Sequence, residues 1–318
     1  MRFASPLLPG IAEERGIDLS LAINLDALGD EGEGTKGQVV ALGTIGKTLL
    51  SAYVVGQETH ACYPFDVLSA VLIAAELVRL IECSPLFTGY AAPRPSTLVM
   101  RDLKGAYSVT TPSRAWSCWN IISHDQRSAE SLARTSQGAT RRLDELVLRL
   151  AGYVESLNAA DSFRRVAGKS IKIFTYERLL RQSAARSSTF QSSLDAIVRE
   201  VSSWPGLDLP TRAQKITEYV WQGSRLAGPA VVFGYASMPY SATKTLREIN
   251  PSLLHCVARE ATEVSNRHKV RIHLGERLDV IADTSFLGPI DLDDLKAVKA
   301  DTPIWNSSIR WDTARSRS

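Results

Sequence analysis

Several side chains in this 318-residue sequence have the types and spacing that chemistry requires. His60 and Cys62 form a His-x-Cys pair. Imidazole and thiolate both ligate zinc, but a closed site needs a second pair, and none completes it. Serine, histidine and aspartate are all present, as acyl transfer would need. No Gly-x-Ser-x-Gly elbow exists to expose a nucleophilic serine. Gly43-Thr44-Ile45-Gly46-Lys47-Thr48 has the composition of a phosphate loop. It lacks the Gly-x-x-x-x-Gly-Lys-Ser/Thr spacing, and an apolar strand rather than a helix follows it. Several polar residues have plain structural readings. Asp26 ends Leu-Ala-Ile-Asn-Leu-Asp and can cap the next turn. His60 precedes Pro64 and can be a surface residue leading into a helix. Asn120 is a polar residue near a strand end. Asp283 or Ser285 can cap a helix.

The elements that would position these residues follow from periodicity. Residues 5–15 read as a short helix ending at Gly16. Leu19–Leu25 alternates as a strand, and a glycine-rich acidic loop follows it. Gln38–Leu42 is a second strand, ending at the Gly43-x-x-Gly46 turn. From there the order is strand (Thr48–Val55), helix (Phe65–Glu82), strand (Thr97–Arg101), strand (Ala115–Ser123), long helix (Ser128–Leu157) and strand (Ser170–Tyr176). This is the split βαβ, ferredoxin-like pattern. Downstream, Phe190–Val201 and Thr211–Trp221 read as helices, and Ala230–Phe233 as a buried strand. Ala242–Ser265 is mostly helical around Pro251, Arg271–Leu274 is a strand, and the tail after Trp311 is polar and frayed.

The net charge of +3 gives no reason to expect nucleic acid or an anionic membrane as partner. Arg141-Arg142 and Arg164-Arg165 read as solvated surface. The N-terminus is too short in apolar residues and too polar for a signal peptide, and no stretch approaches the roughly 18 apolar residues of a span. The expected location is the cytoplasm. The four cysteines, Cys62, Cys83, Cys118 and Cys256, sit among apolar residues and read as buried free thiols.

The phrases INLDALGDEG, LGTIGK, YVVGQETHACYPFD, RDLKGAYSVTTP, WNII, TYERL and ADTSFLG, in that order, carry a family resemblance. The sequence resembles the zinc aminoacylase, carboxypeptidase G and succinyl-diaminopimelate desuccinylase group, and within it the branch named after arginine utilisation. The resemblance covers residues 1 to about 290. It implies an α/β fold: an incomplete zinc-exopeptidase-like catalytic domain with an inserted ferredoxin-like (βαββαβ) lid or dimerisation domain. The implied division is 1–45 catalytic segment, 46–178 lid, and 179–318 catalytic remainder. In the family, two zinc ions activate a shared water, and a glutamate moves its proton to the leaving nitrogen.

The resemblance assigns roles residue by residue. Asp26 matches a zinc ligand. His60 matches a lid histidine that reaches across a homodimer and stabilises the developing oxyanion in the partner's active site. Asn120 matches a substrate-holding asparagine, and Asp283 a loop near the active site. The family's glycine and asparagine before the lid helix are Val67 and Ser69 here, so that turn must differ or be strained. By the same alignment the Glu-Glu pair falls before Met1, and no histidine follows His273. The implied reading is a metallohydrolase-family chain shortened at both ends. Its parent activity is zinc-dependent hydrolysis of a small peptide or N-acyl amino acid, and it is inactive or weakly active as it stands. Two alternatives remain open: a non-catalytic dimerisation or regulatory module, and one half of a split hydrolase.

Overall fold

A computed structural model describes residues 8–17, 23, 37–64, 66–84, 93–123, 128–156, 170–240, 242–278, 296 and 298–305. Asp26, Asp283 and all of the expected strand at 19–25 except Ile23 lie outside these residues.

The segments with two-residue alternation or a buried apolar run become strands. They are β1 (Gln38–Ala41), β2 (Gly46–Val55), β3 (Ser96–Asp102), β4 (Arg114–Ser123), β5 (Lys172–Thr175), β6 (Ala230–Tyr235) and β7 (Ile272–Gly275). The helices are α1 (Leu8–Arg15), α2 (Ala70–Ile81), α3 (Ser128–Ser156), α4 (Tyr176–Ala184), α5 (Phe190–Ser203), α6 (Leu209–Ser224), α7 (Leu246–Ile249) and α8 (Pro251–His268). Local chemistry sets several boundaries. Thr175 caps α4 by accepting the Arg178 N–H, and Asp208 caps α6 by accepting the Thr211 N–H. Asn250 ends α7 and caps α8, which splits the single helical stretch expected around Pro251.

A mixed α/β architecture results. The main sheet has five strands in the order β3-β4-β2-β6-β5. All neighbours are antiparallel except β5 and β6. The split βαβ pattern calls for four strands, with β5 directly beside β2. Instead β6, which follows residue 178 in the chain, lies between them and pairs with both. The physical reason is that β6 is buried along its whole length, so it needs a partner on each edge and a layer on each face.

The second layer is the other difference. α2 and α3 cover one face, where Leu50, Ala52 and Val54 of β2 meet Trp119, Ile121, Ile73, Leu77 and Leu143. α4, α5 and α6 cover the opposite face, where Leu49, Tyr53 and Val55 meet Trp116, Leu179, Ile216 and Val220. Trp116 and Trp119, three residues apart on β4, point to opposite faces and anchor one core each. β2 alternates in sequence, yet it is buried on both faces because both are covered.

Residues 298–305 close one end of the sandwich. Val298 enters one core and Ile304 the other, and the Tyr235 N–H donates to the Asp301 carbonyl. A Cβ on Gly234 would meet that carbonyl oxygen at 2.8 Å, so only glycine admits the crossing. β1 and β7 form a separate parallel pair beside α7 and α8. No described helix is long and apolar enough to cross a membrane.

Candidate functional site

His60 lies just beyond the main sheet. The chain leaves β2 at Gly56, where a Cβ would come within 2.3 Å of the Ala70 nitrogen at the start of α2. Glycine is therefore required for β2 and α2 to pack this closely. Residues 56–61 then run against residues 109–113. The Gly56 N–H donates to Ser113 O, Thr111 N–H to Thr59 O, and Ala61 N–H to Val109 O, each at 2.8 Å. His60 stands opposite Thr110 in this extension. The Pro112 carbonyl also accepts the first N–H of α2, from Ala70, at 3.0 Å. The histidine loop is thus built onto sheet and helix rather than free.

The imidazole is exposed, and its Nδ1 accepts the Cys62 N–H at 3.2 Å. A neutral ring whose Nδ1 is an acceptor carries its proton on Nε2. His60 consequently presents a hydrogen-bond donor, the form that can stabilise a developing oxyanion. Tyr63 is tilted beside it with ring centroids 6.1 Å apart. Tyr63, Tyr107 and Val109 are exposed around this end of the sheet. Val67 takes its turn without positive φ: the non-glycine residues there, among those described, are Cys83, Arg225 and Lys269.

Asn120 sits near the opposite end of the sheet. It pairs across β4 with Leu49 of β2 and Ser96 of β3, on the face shared by Trp116 and Cys118. Its Oδ1 is buried without a hydrogen-bond partner among the described residues. Arg114 marks the His60 end of β4, and six residue-to-residue steps of strand separate it from Asn120. That is about 20 Å. One chain therefore does not bring His60 and Asn120 to one small substrate.

The cysteines differ from expectation. Only Cys118 is buried; Cys62, Cys83 and Cys256 are exposed, and all four are free. Cys62 lies in the loop beyond the sheet, Cys83 follows the end of α2, and Cys256 is on the outer side of α8. Burial pushes the Cys118 thiol far up, so it is neither a nucleophile nor a ligand near neutral pH. Among the described residues no group of three or more His, Cys, Asp or Glu could hold a metal. The described residues do not by themselves fit the two-zinc centre that the resemblance implies.

Two polar clusters tie layers together. Arg101 donates to Gln214 at 2.7 Å and Thr211 at 3.1 Å, while Glu218 accepts from Tyr53 and pairs with Arg114 at 3.5 Å, all fixing α6 to the sheet. Desolvation first, then the Glu218 charge, pushes the Tyr53 phenol up. On the other face, buried Glu76 of α2 meets Arg149 and lies 3.3 Å from Arg142, both on α3. The Arg142 contact is ionic, since its Nε has no aligned hydrogen bond among the described residues.

Sequence reasoning gave no role to Lys104, Glu58 or Thr110. Their only signal was position, in the two phrases that flank His60 in space. Lys104 donates to the carbonyls of Ser108 at 3.0 Å and Thr110 at 2.8 Å, and Thr110 Oγ1 donates to Glu58 at 2.5 Å.

Comparison with known proteins gives three findings. No family model matches the sequence. The chain is 22% identical over 314 residues to "Uncharacterized protein YqjN" of Bacillus subtilis (strain 168), covering 95% of this chain and 55% of that protein. It thus spans about half the length of that curated relative. Among solved structures, a tripeptidase from Staphylococcus aureus matches with 14% identity and a TM-score of 0.29, covering 40% of this chain and 39% of that one. The aminopeptidase PepT from Bacillus cereus matches with 10% identity and a TM-score of 0.28, covering 63% and 46%. Likenesses this distant carry no argument about fold or site.

Proposed function

We propose that this chain is a metallohydrolase-family protein whose parent activity is hydrolysis of a small peptide or N-acyl amino acid amide. His60 supplies an oxyanion-stabilising hydrogen bond. The observation that carries this reading is the His60 ring itself: exposed, with Nδ1 occupied by the Cys62 N–H and the donor left on Nε2. A donor held on a rigid support before reaction can lower the barrier for attack on an amide carbonyl.

The separation of about 20 Å along β4 supports action in trans, with His60 serving a site whose substrate is held by Asn120 of a second copy. β3 offers the surface for pairing. Among the described residues it is the edge strand of the sheet, with the Thr97 N–H held by Glu82, and it exposes Leu98 and Met100. Residues 46–178, with β6 added, would then be the lid and dimerisation unit. Zinc is the metal that the resemblance implies, with Asp26 as a ligand; it would polarise the amide carbonyl and activate water. Activity of this chain alone would be weak, and its location the cytoplasm.

The exposed β3 edge also favours a second reading, a non-catalytic dimer module. The two readings part in one experiment. Zinc-equilibrated, desalted protein is analysed for metal and assayed on N-acyl amino acids and dipeptides. Turnover that is lost with chelator and with His60→Gln supports the enzyme reading. Mixing His60→Gln with Asn120→Ala should then restore part of the activity in hybrid dimers. Absence of both metal and turnover overturns it and leaves the module, or one half of a split hydrolase.

A further inference from the structure

We infer that Lys104 is a positioning residue for His60, holding the imidazole in its donor orientation through the backbone of Thr110. This rests on the proposed role of His60.

The bonds from Ala61 to Val109 and from Thr111 to Thr59 flank the His60–Thr110 pair. That makes it a non-hydrogen-bonded antiparallel pair, whose side chains approach most closely while their own backbone groups point away from each other. The Thr110 carbonyl thus needs a partner outside the ladder. Lys104 provides it at 2.8 Å, and its ammonium also takes the Ser108 carbonyl at 3.0 Å. The Lys104 N–H in turn donates to Asp102 Oδ1 at 2.9 Å, fixing the start of the loop at the end of β3. One cation therefore closes residues 104–110 onto the strand that faces His60.

A second set of bonds joins the two sides. Glu58 and Ser108 lie two residues from His60 and Thr110, on the same face of the ladder. Thr110 Oγ1 donates to Glu58 at 2.5 Å and lies 2.8 Å from Ser108 Oγ. Lys104, Thr110 and Glu58 form a continuous path from the end of β3 to the histidine loop. Hydrogen bonds with an ionised partner are stronger than neutral ones, and both links of the path are of that kind: the ammonium on the Thr110 carbonyl and the Glu58 carboxylate on the Thr110 hydroxyl. Gly105, next to Lys104, has open space where a Cβ would be, so the loop is not held by packing there.

The test uses the full chain and reads His60 directly. Cys62 amide exchange reports the N–H bond to the imidazole, and the ring nitrogen signals of His60, assigned with His60→Gln, report its tautomer and order. Lys104→Met keeps the apolar stem and removes the cation. It should speed Cys62 exchange by about tenfold or more and broaden the His60 signals, with the amides of β2 still protected. Lys104→Arg, which can still reach the carbonyls, should recover most of the protection. Thr110→Val, a milder break in the same path, should give a smaller change in the same direction. Unchanged Cys62 exchange in Lys104→Met, or equal loss in Met and Arg variants, overturns the inference. Where turnover is measurable, Lys104→Met should lower kcat with little change in KM. If exchange responds as expected but His60→Gln leaves hydrolysis intact, the positioning stands and the functional reading falls.

Discussion

Replacing Glu76 and its two arginines in turn should give opposite outcomes, although each change breaks the same ion cluster. The Glu76 side chain is 6% exposed, while Arg142 and Arg149 are 32% and 41% exposed. When Glu76→Leu removes the carboxylate, both guanidinium groups can turn into water, and a leucine fills apolar space between α2 and α3. The expected cost is within about 1 kcal/mol, because replacing a buried charge by a packed apolar group is often neutral. When Arg142→Leu and Arg149→Leu are combined, the carboxylate stays buried with no partner, at a cost of about 3–5 kcal/mol. For a cooperative unit of this length that is a fall of roughly 6 °C in Tm. Adding Glu76→Leu to the double arginine variant should recover most of the loss, a non-additivity expected only of groups sharing one network. Equilibrium urea unfolding at neutral pH, followed by tryptophan fluorescence, measures all three. If Glu76→Leu alone costs as much as the arginine pair, the reasoning from burial is refuted.

Three further outcomes follow from the geometry. Gly56→Ala places a Cβ 2.3 Å from a backbone nitrogen that cannot move without α2, so it should cost at least about 1–3 kcal/mol and raise amide exchange at both Ala70 and Cys62; exchange changes confined to β2 would count against the coupling. Burial, opposed by the Glu177 N–H and the Thr175 hydroxyl, holds the Asp301 carboxyl above its ordinary value of 3.8. The folded state therefore binds that proton more tightly than the unfolded chain, and its stabilising contribution is full below the ordinary value and lost as pH rises through the folded one. The stability of wild type relative to Asp301→Asn should fall between acid and neutral pH, and a pH-independent difference in urea midpoints would contradict this. Leu98→Lys with Met100→Lys should convert a dimer to a monomer in sedimentation without changing the unfolding free energy of the monomer by more than about 0.5 kcal/mol; a dimer that persists would move the interface elsewhere.

Much of the main sheet was legible residue by residue. β2, β3, β4 and β5 lie within two residues of their expected positions, as does the long helix α3. Their alternation or periodicity is strong enough to override local exceptions. α4 was missed because Tyr176–Ala184 is short and polar, and its apolar face is Tyr176, Leu179 and half-buried Leu180 with Ser183 beside them. The expectation of four buried cysteines failed for a similar reason. Apolar neighbours in sequence say little about burial where the chain turns, as it does at Cys62 and after α2 at Cys83. At the candidate site, His60 stood out by type. The acceptor bond that fixes its donor nitrogen did not, because that bond depends on the turn geometry two residues on.

Sequence alone determined most of the described strands and the longer helices, since each must bury an apolar face at its own period of two or 3.6 residues. It also determined that β6 is buried from end to end, from its unbroken run Ala-Val-Val-Phe. Only the tertiary structure decided where that strand goes, between β2 and β5, and that α4, α5 and α6 cover the second face. A buried strand satisfies its hydrogen bonds equally well beside many partners, so its place is chosen by the helices that must be covered on both sides. The same holds for His60: its identity is in the sequence, while its orientation belongs to a ladder closed by Lys104 more than forty residues away.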